Sequence, residues 1–191
     1  VEAFLVSVGV VALAELGDKT QLLAILLAAR FRAALPVIFG ILCATALNHT
    51  LAAVLGIYIG DWLGQNLSWI LAVSFFAMGI WTLIPDKLGS QQRSFDKYGA
   101  FGATLISFFL VEMGDKTQLA TMALAARFDT VLPVMLGTTL GMMIADVPAV
   151  YLGDVIAQRI PIRLLRIVAA VLFILLALAA ALDWGRRFVF A

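Results

Sequence analysis

The stretch AELGDKTQLLA, residues 14–24, places Glu15, Asp18 and Lys19 inside an otherwise apolar run. A charge at the centre of a bilayer costs roughly 3 kcal/mol per Asp, Lys or Arg on insertion scales. The same arrangement returns as VEMGDKTQLAT, residues 111–121. Composition says in which solvent that cost is felt. The chain is 63% hydrophobic and only 13% charged, and its mean hydropathy is +1.06. Soluble domains run near half apolar and a quarter charged, so this sequence describes an all-α polytopic membrane protein whose solvent is lipid. A formal net charge of +1 gives no sign of a nucleic-acid surface. The single cysteine, Cys43, makes neither an internal disulfide nor a thiolate cluster, and is expected to be a small packing residue. Residues 3–14 have an apolar core but no basic lead-in and no small-residue cleavage site, so they are read as mature protein.

A hydrocarbon core of about 30 Å needs about 20 apolar residues per helix. Six runs meet that: 3–29, 35–59, 66–84, 99–127, 132–155 and 163–184. The first and fourth are too long for one straight crossing, since 29 residues at about 1.5 Å each reach roughly 44 Å. Each carries Gly-Asp near its middle, at Gly17-Asp18 and Gly114-Asp115, so a backbone break is expected there. The polar segment PDKLGSQQRSFDKYG, residues 85–99, is the seam between halves. The expected organisation is a first three-helix repeat at 1–84, a connecting loop at 85–98 and a second repeat at 99–191.

The halves are copies. At a shift of 97, Glu15, Gly17, Asp18, Lys19, Thr20, Gln21 and Leu22 fall on identical residues from Glu112 to Leu119. LAARF at 27–31 falls on LAARF at 124–128, and LPV at 35–37 on LPV at 132–134. Sixteen of the 26 positions from 15 to 40 are identical, including Glu, Asp, Lys, Gln, Arg and Pro, which apolar bias alone does not produce. YIGD at 58–61 meets YLGD at 151–154 at a shift of 93, so the first copy holds about one extra helical turn. Three spans are an odd number, so the second copy must enter the membrane from the opposite side. Inverted repeats of this kind place their motifs near the midplane about a pseudo-two-fold axis.

Basic residues orient the chain. The side holding the 1–2, 3–4 and 5–6 connections carries Arg30, Arg32, Lys87, Arg93, Lys97, Arg159, Arg163 and Arg166; the other carries Arg127, Arg186 and Arg187. The positive-inside rule then puts the connecting loop in the cytoplasm and both termini outside.

Glu15 and Asp18 are three residues apart and share one face of a helix, as do Glu112 and Asp115. Opposed across a two-fold axis, they bring four carboxylates together. An anionic, oxygen-only site with Thr20, Gln21, Thr117 and Gln118 nearby suits a hard divalent cation such as Mn²⁺, Ca²⁺ or Mg²⁺. Gly17 and Gly114 allow close backbone approach or free a carbonyl as a ligand. Four carboxylates with Lys19 and Lys116 leave two negative charges, which one divalent ion neutralises. Without it, poorly solvated carboxylates tend to take protons, so metal and proton compete for the same oxygens. That competition is the minimal machinery of a cation/proton exchanger. Lys19 and Lys116 each follow a glutamate by four residues, a favourable helical spacing, and are expected to hold Glu15 and Glu112 between occupancies, to stand in for a cation, or only to anchor the helices at an interface. Asn48 and Asp146 are candidates for a supporting or proton-relay role; His49, which aligns with Asp146, is the weaker one. Thr45, Thr50, Thr138 and Thr139 are expected to bond between helices, and the glycines of the second and fifth spans to allow close packing. Asp61, Asp154 and Asp183 fall at span ends, and Trp62, Trp69, Trp81 and Trp184 suit the headgroup belt.

Two copies of E-x-G-D-[KR]-[ST], each opening a three-helix hydrophobic repeat, resemble the Golgi-type cation exchanger family. That family was long catalogued as uncharacterised protein family sixteen and is related to the lysine-exporter superfamily. Glu15-Leu16-Gly17-Asp18-Lys19-Thr20 and Glu112-Met113-Gly114-Asp115-Lys116-Thr117 match without departure, and the likeness covers essentially the whole chain. The resemblance implies export of Mn²⁺, or Ca²⁺, from the cytosol against protons, with Glu15, Asp18, Glu112 and Asp115 as the metal-binding acids. It implies no cofactor beyond the transported ion. Minimal loops fit the bacterial branch, hence a multi-pass protein of the inner (plasma) membrane whose partners are the metal ion, protons and the lipid bilayer. A homo-oligomer is compatible with the sequence. The central segment lacks a long acidic cluster, so no regulatory metal site is expected there.

Three rivals share features of this pattern. Intramembrane aspartyl proteases use Gly-x-Gly-Asp, but the first position here is Glu in both copies, and each Asp precedes a Lys that disfavours a shared-proton dyad. An amino-acid exporter of the related superfamily could use the acids for an amino group but has nothing evident for the carboxylate. A passive divalent-cation channel could line its pore with the same ligands.

Overall fold

The computed structural model describes residues 1–84, 95–159 and 162–189, without the side chains of 153–159, 162, 165 and 183–189. Lys87, Arg93 and most of the central segment, and the side chains of Asp154, Arg159, Asp183, Trp184, Arg186 and Arg187, therefore lie outside the described residues.

Eight α-helices account for nearly all of it: α1 (Glu2–Glu15), α2 (Lys19–Phe31), α3 (Ala34–Leu63), α4 (Leu67–Thr82), α5 (Gly99–Glu112), α6 (Lys116–Phe128), α7 (Leu132–Arg159) and α8 (Ile162–Val189). No strand occurs among the described residues. Short 3₁₀ turns at Gly64–Asn66 and Asp96–Tyr98 lead into α4 and α5. The order short, short, long, then a last helix occurs twice.

The local chemistry explains the boundaries. α1 and α5 stop because Gly17 (φ 79°) and Gly114 (φ 76°) adopt left-handed backbone that glycine tolerates and other residues resist. α2 and α6 end on Arg32 and Asp129, both left-handed. Pro36 and Pro133 then sit in the first turns of α3 and α7, where no helical N–H is lost.

Apolar residues fill much of the interior, but a cluster of polar and charged residues is buried with them. Glu15, Asp18, Asn48, His49, Glu112, Asp115, Lys116 and Asp146 are each at most 2% exposed, while Phe39, Leu47, Leu51, Tyr58 and Ile144 face outward. An apolar exterior around buried charged groups is what a lipid solvent selects. Ala34–Thr82 and Leu132–Leu152 are long and apolar enough to cross a membrane by length and composition. Trp62 and Trp69 are exposed and Trp81 partly so, while Asp61 is exposed near the end of α3. Cys43 is exposed on α3 rather than packed inside, because it lies on the face opposite the buried Ile41, Ala44 and Thr45.

Packing crosses between the halves. A methyl built on Gly40 of α3 would lie 2.7 Å from Thr104 Cβ and 2.9 Å from the Phe101 carbonyl oxygen of α5. One built on Gly137 of α7 would lie 2.8 Å from Ser7 Cβ and 2.5 Å from the Phe4 carbonyl oxygen of α1. The two triplets are related by the shift of 97: Gly40, Phe101 and Thr104 correspond to Gly137, Phe4 and Ser7. Each half thus lays its long helix on the other half's first helix at a reciprocal glycine contact. α4 and α8 also meet, with Phe75 and Phe173 stacked at 6.5 Å between ring centroids.

Candidate metal-binding site

The expected breaks are where the motifs are. Glu15 is the last residue of α1, Leu16 is extended, and Asp18 is the capping residue before α2. Glu112, Met113 and Asp115 repeat this between α5 and α6. Both turns close the same way: Asp18 N–H donates to the Glu15 carbonyl and Asp115 N–H to the Glu112 carbonyl, each at 3.0 Å. The carbonyl ends of α1 and α5 attract positive charge, while the N–H ends of α2 and α6 support Asp18 and Asp115.

This geometry corrects the helical pairing expected from spacing. Glu15 and Asp18 do not share a continuous helix, and Lys19 is not one turn beyond Glu15, because the glycine turn intervenes. Instead Lys19 Nζ lies 2.8 Å from Asp115 Oδ1, and Lys116 Nζ lies 2.9 Å from Asp18 Oδ1. Each lysine crosses to the other half, and the two ion pairs exchange under the repeat. Lys116 is buried, at 2% exposed, and Lys19 partly so.

Carboxylate oxygens of Glu15, Asp18 and Asp115 all lie within 4.8 Å of one another. Glu112 stands apart from this trio, its carboxylate accepting from Thr45 Oγ1 at 2.9 Å and Asn48 Nδ2 at 3.0 Å. The Glu15 oxygens have no hydrogen-bond partner among the described residues. The difference is written in the sequence, since Thr45 and Asn48 on α3 correspond to Met142 and Ala145 on α7. Asp146 lies within electrostatic range of Glu15, Glu112 and Asp18, and its oxygens also lack a partner among the described residues. Asp146, expected in a supporting role, is thus a fifth buried acid beside the four of the motifs.

The remaining polar residues divide. Gln21 Oε1 accepts from Gly17 N–H at 3.0 Å while its Nε2 donates to the Ala145 carbonyl at 3.1 Å. Gln118 Oε1 accepts from Gly114 N–H at 2.7 Å. Their amide oxygens thus fix the glycine turns. Thr20 and Thr117 are buried with hydroxyl oxygens lacking partners among the described residues, as are both His49 nitrogens and Thr139 Oγ1. Thr45 bonds between helices as expected, but Thr50 and Thr138 donate to carbonyls four residues back in their own helices. Arg166, counted in the sequence only as a topology charge, reaches from α8 to donate to the Gly17 carbonyl at 3.0 Å.

A family model described as the divalent cation/proton antiporter GDT1 matches the chain twice, over residues 3–90 and 100–187. The chain belongs to the GDT1 family. One match falls on each half, so the duplicated unit is the family's own. A Vibrio cholerae protein named "Putative manganese exporter" is 50% identical over 178 residues, covering 92% of this chain and 88% of that one. The Arabidopsis thaliana GDT1-like protein 5 is 28% identical over 227 residues, covering 95% of this chain and 96% of its own. The rice GDT1-like protein 3 is 26% identical, covering 91% and 71%. No solved structure matches the chain. Membership makes this a transporter family member of the membrane, and the buried acids Glu15, Asp18, Glu112 and Asp115 fall two to each of the two matched stretches.

Proposed function

We propose that the chain is a secondary active transporter that exports a divalent cation from the cytoplasm in exchange for protons, with Mn²⁺ the preferred substrate and Ca²⁺ the alternative. In this reading α1 with α2, α3, α4, α5 with α6, α7 and α8 form six transmembrane spans. Residues 1–84 and 99–191 are two inverted three-helix repeats joined by a cytoplasmic segment at 85–98, both termini lie outside, and the membrane is the inner (plasma) membrane. The reciprocal contacts support this arrangement, because reciprocity is what a two-fold relation between copies requires. The family description supports proton exchange, and the name of the Vibrio cholerae relative supports manganese.

The observation that carries the reading is the crossed pair Lys19–Asp115 and Lys116–Asp18, set against a partnerless Glu15. Two tethered cations neutralise the aspartates while no ion is bound. A divalent ion takes the aspartates together with Glu15, and Glu112 joins as the fourth carboxylate when it leaves Thr45 and Asn48. Oxygen ligands of this kind suit Mn²⁺ and Ca²⁺. Protons discharge the same oxygens on the return, so the two loads never share the site fully. The lysines and the glycine turns give the site two arrangements, which alternating access needs.

The test is flux in proteoliposomes. An exchanger moves Mn²⁺ uphill when given a pH gradient, and acidifies or alkalinises the lumen in step. Downhill flux alone, indifferent to the gradient, is the behaviour of a channel and overturns the proposal.

A further inference from the structure

The two glycine turns have the same backbone but different surroundings. Met113 is 57% exposed and Gly114 is exposed, whereas Leu16 and Gly17 are partly covered. The cover over the first turn includes Arg166 of α8, whose Nη2 donates to the Gly17 carbonyl at 3.0 Å. The repeat supplies no such cation for the second turn. Trp69, Leu71 and Val73 stand at the positions corresponding to Arg166 at shifts of 97, 95 and 93, whichever register is used for α4 against α8. Arg166 is thus one of the positions at which the two halves differ around otherwise identical motifs.

The Gly17 carbonyl lies in the turn between the cap of α1 at Leu16 and the cap of α2 at Asp18, and a carbonyl oxygen there accepts a cationic donor. A guanidinium bound there does two things. It withholds that carbonyl from a passing ion, and it ties α8 across the first break. Charge balance agrees. Glu15, Asp18, Glu112, Asp115 and Asp146 with Lys19, Lys116 and Arg166 leave two negative charges, one divalent ion's worth. Without Arg166, the fifth acid has no counterpart.

We propose that Arg166 is a positioning residue that latches the first motif turn, closing the α8 side of the site while the second turn stays open. The latch gives the two access routes unequal stability even though the motifs are identical. It rests on the exchanger reading for its role in transport, but its geometry can be tested without transport.

The test uses purified full-length chain in proteoliposomes with Cys43→Ser, which removes the one native thiol, and Leu16→Cys as the reporter. Leu16→Cys should react slowly with both a neutral and a cationic hydrophilic methanethiosulfonate. Arg166→Met should speed both reactions at least about ten-fold, the scale of losing one charge-assisted hydrogen bond. Arg166→Lys should restore most of the protection. Arg166→Gln supplies the same comparison if the Met variant does not fold. Unchanged rates, or acceleration of the cationic reagent alone, overturn the latch, the latter because it reports only a lost charge. Labelling does not need Mn²⁺ movement, so a failed antiport measurement and a failed latch are told apart. If both hold, Arg166→Met should also let Mn²⁺ run downhill without a pH gradient, at a rate above wild type.

Discussion

Lys116 Nζ lies 2.9 Å from Asp18 Oδ1, joining the start of α6 to the start of α2 with both side chains at most 3% exposed. Its repeat-related pair, Lys19 with Asp115 at 2.8 Å, is more open on the lysine side, at 22%. The two pairs are the same by sequence and unequal by environment. Breaking a buried pair from one side leaves an uncompensated charge and costs about 3–5 kcal/mol, whereas exposed pairs contribute about 1 kcal/mol or less.

Lys116→Met should therefore destabilise the protein more than Lys19→Met. Thermal unfolding in detergent checks this, with a larger drop in midpoint for the former. The double variant Lys116→Met/Asp18→Asn should recover most of that loss while remaining inactive in Mn²⁺ efflux. Equal midpoints for the two single variants would contradict the burial difference.

The acids should each be indispensable. Glu15→Gln, Asp18→Asn, Glu112→Gln and Asp115→Asn are expected to abolish manganese tolerance in a cell lacking other exporters. Growth on elevated Mn²⁺ with matched protein levels is the measurement, and full function in any two of the four would contradict a shared carboxylate site.

Glu112 differs from Glu15 in being held by Thr45 and Asn48. Asn48→Leu removes a donor to a buried carboxylate, a change of about 1–3 kcal/mol. It should alter the apparent Mn²⁺ affinity by at least about ten-fold, while Thr50→Val, whose hydroxyl donates within its own helix, should not. Metal-dependent protection against unfolding reads both.

Competition between metal and proton sets the sign of the pH dependence. Apparent Mn²⁺ affinity should fall as pH falls, because protons take the oxygens that the ion needs. Binding isotherms at two pH values check it; affinity that is flat or rises on acidification would contradict exchange at a common site.

The reciprocal glycine contacts give a structural prediction. Gly40→Ala and Gly137→Ala should each destabilise by about 1–3 kcal/mol, the usual cost of overpacking, because neighbouring backbone oxygens lie within 2.9 Å of the added methyl. Gly9→Ala, where nothing lies within 4 Å, should be tolerated. Unfolding midpoints of the three variants decide it.

Several features were legible in the residues because they are local or periodic. The break in the first and fourth apolar runs follows from their length and from Gly17 and Gly114, and the halves follow from identities at polar positions that apolar drift cannot supply. The acids stood out because lipid makes them costly. Partnerships were another matter. Spacing pointed Lys19 toward Glu15, but a glycine turn ends the helix between them and sends the lysine to Asp115. Gln21 and Gln118 were legible as possible ligands or supports of the site, but not that their amide oxygens accept from the Gly17 and Gly114 N–H groups. Cys43 looked interior and faces outward, since hydropathy does not tell one face of an all-apolar helix from another.

The sequence by itself determined the solvent, the duplication, the places where helices must break and the residues that carry charge into the interior. Each of these depends on composition or on neighbours a few positions away. Only the tertiary structure decided which charge meets which, that Glu112 rests on Thr45 and Asn48 while Glu15 has no such support, and that Arg166 closes over Gly17. Those contacts join residues 64 to 149 positions apart. They are set by how eight helices pack, and no spacing rule reaches that far.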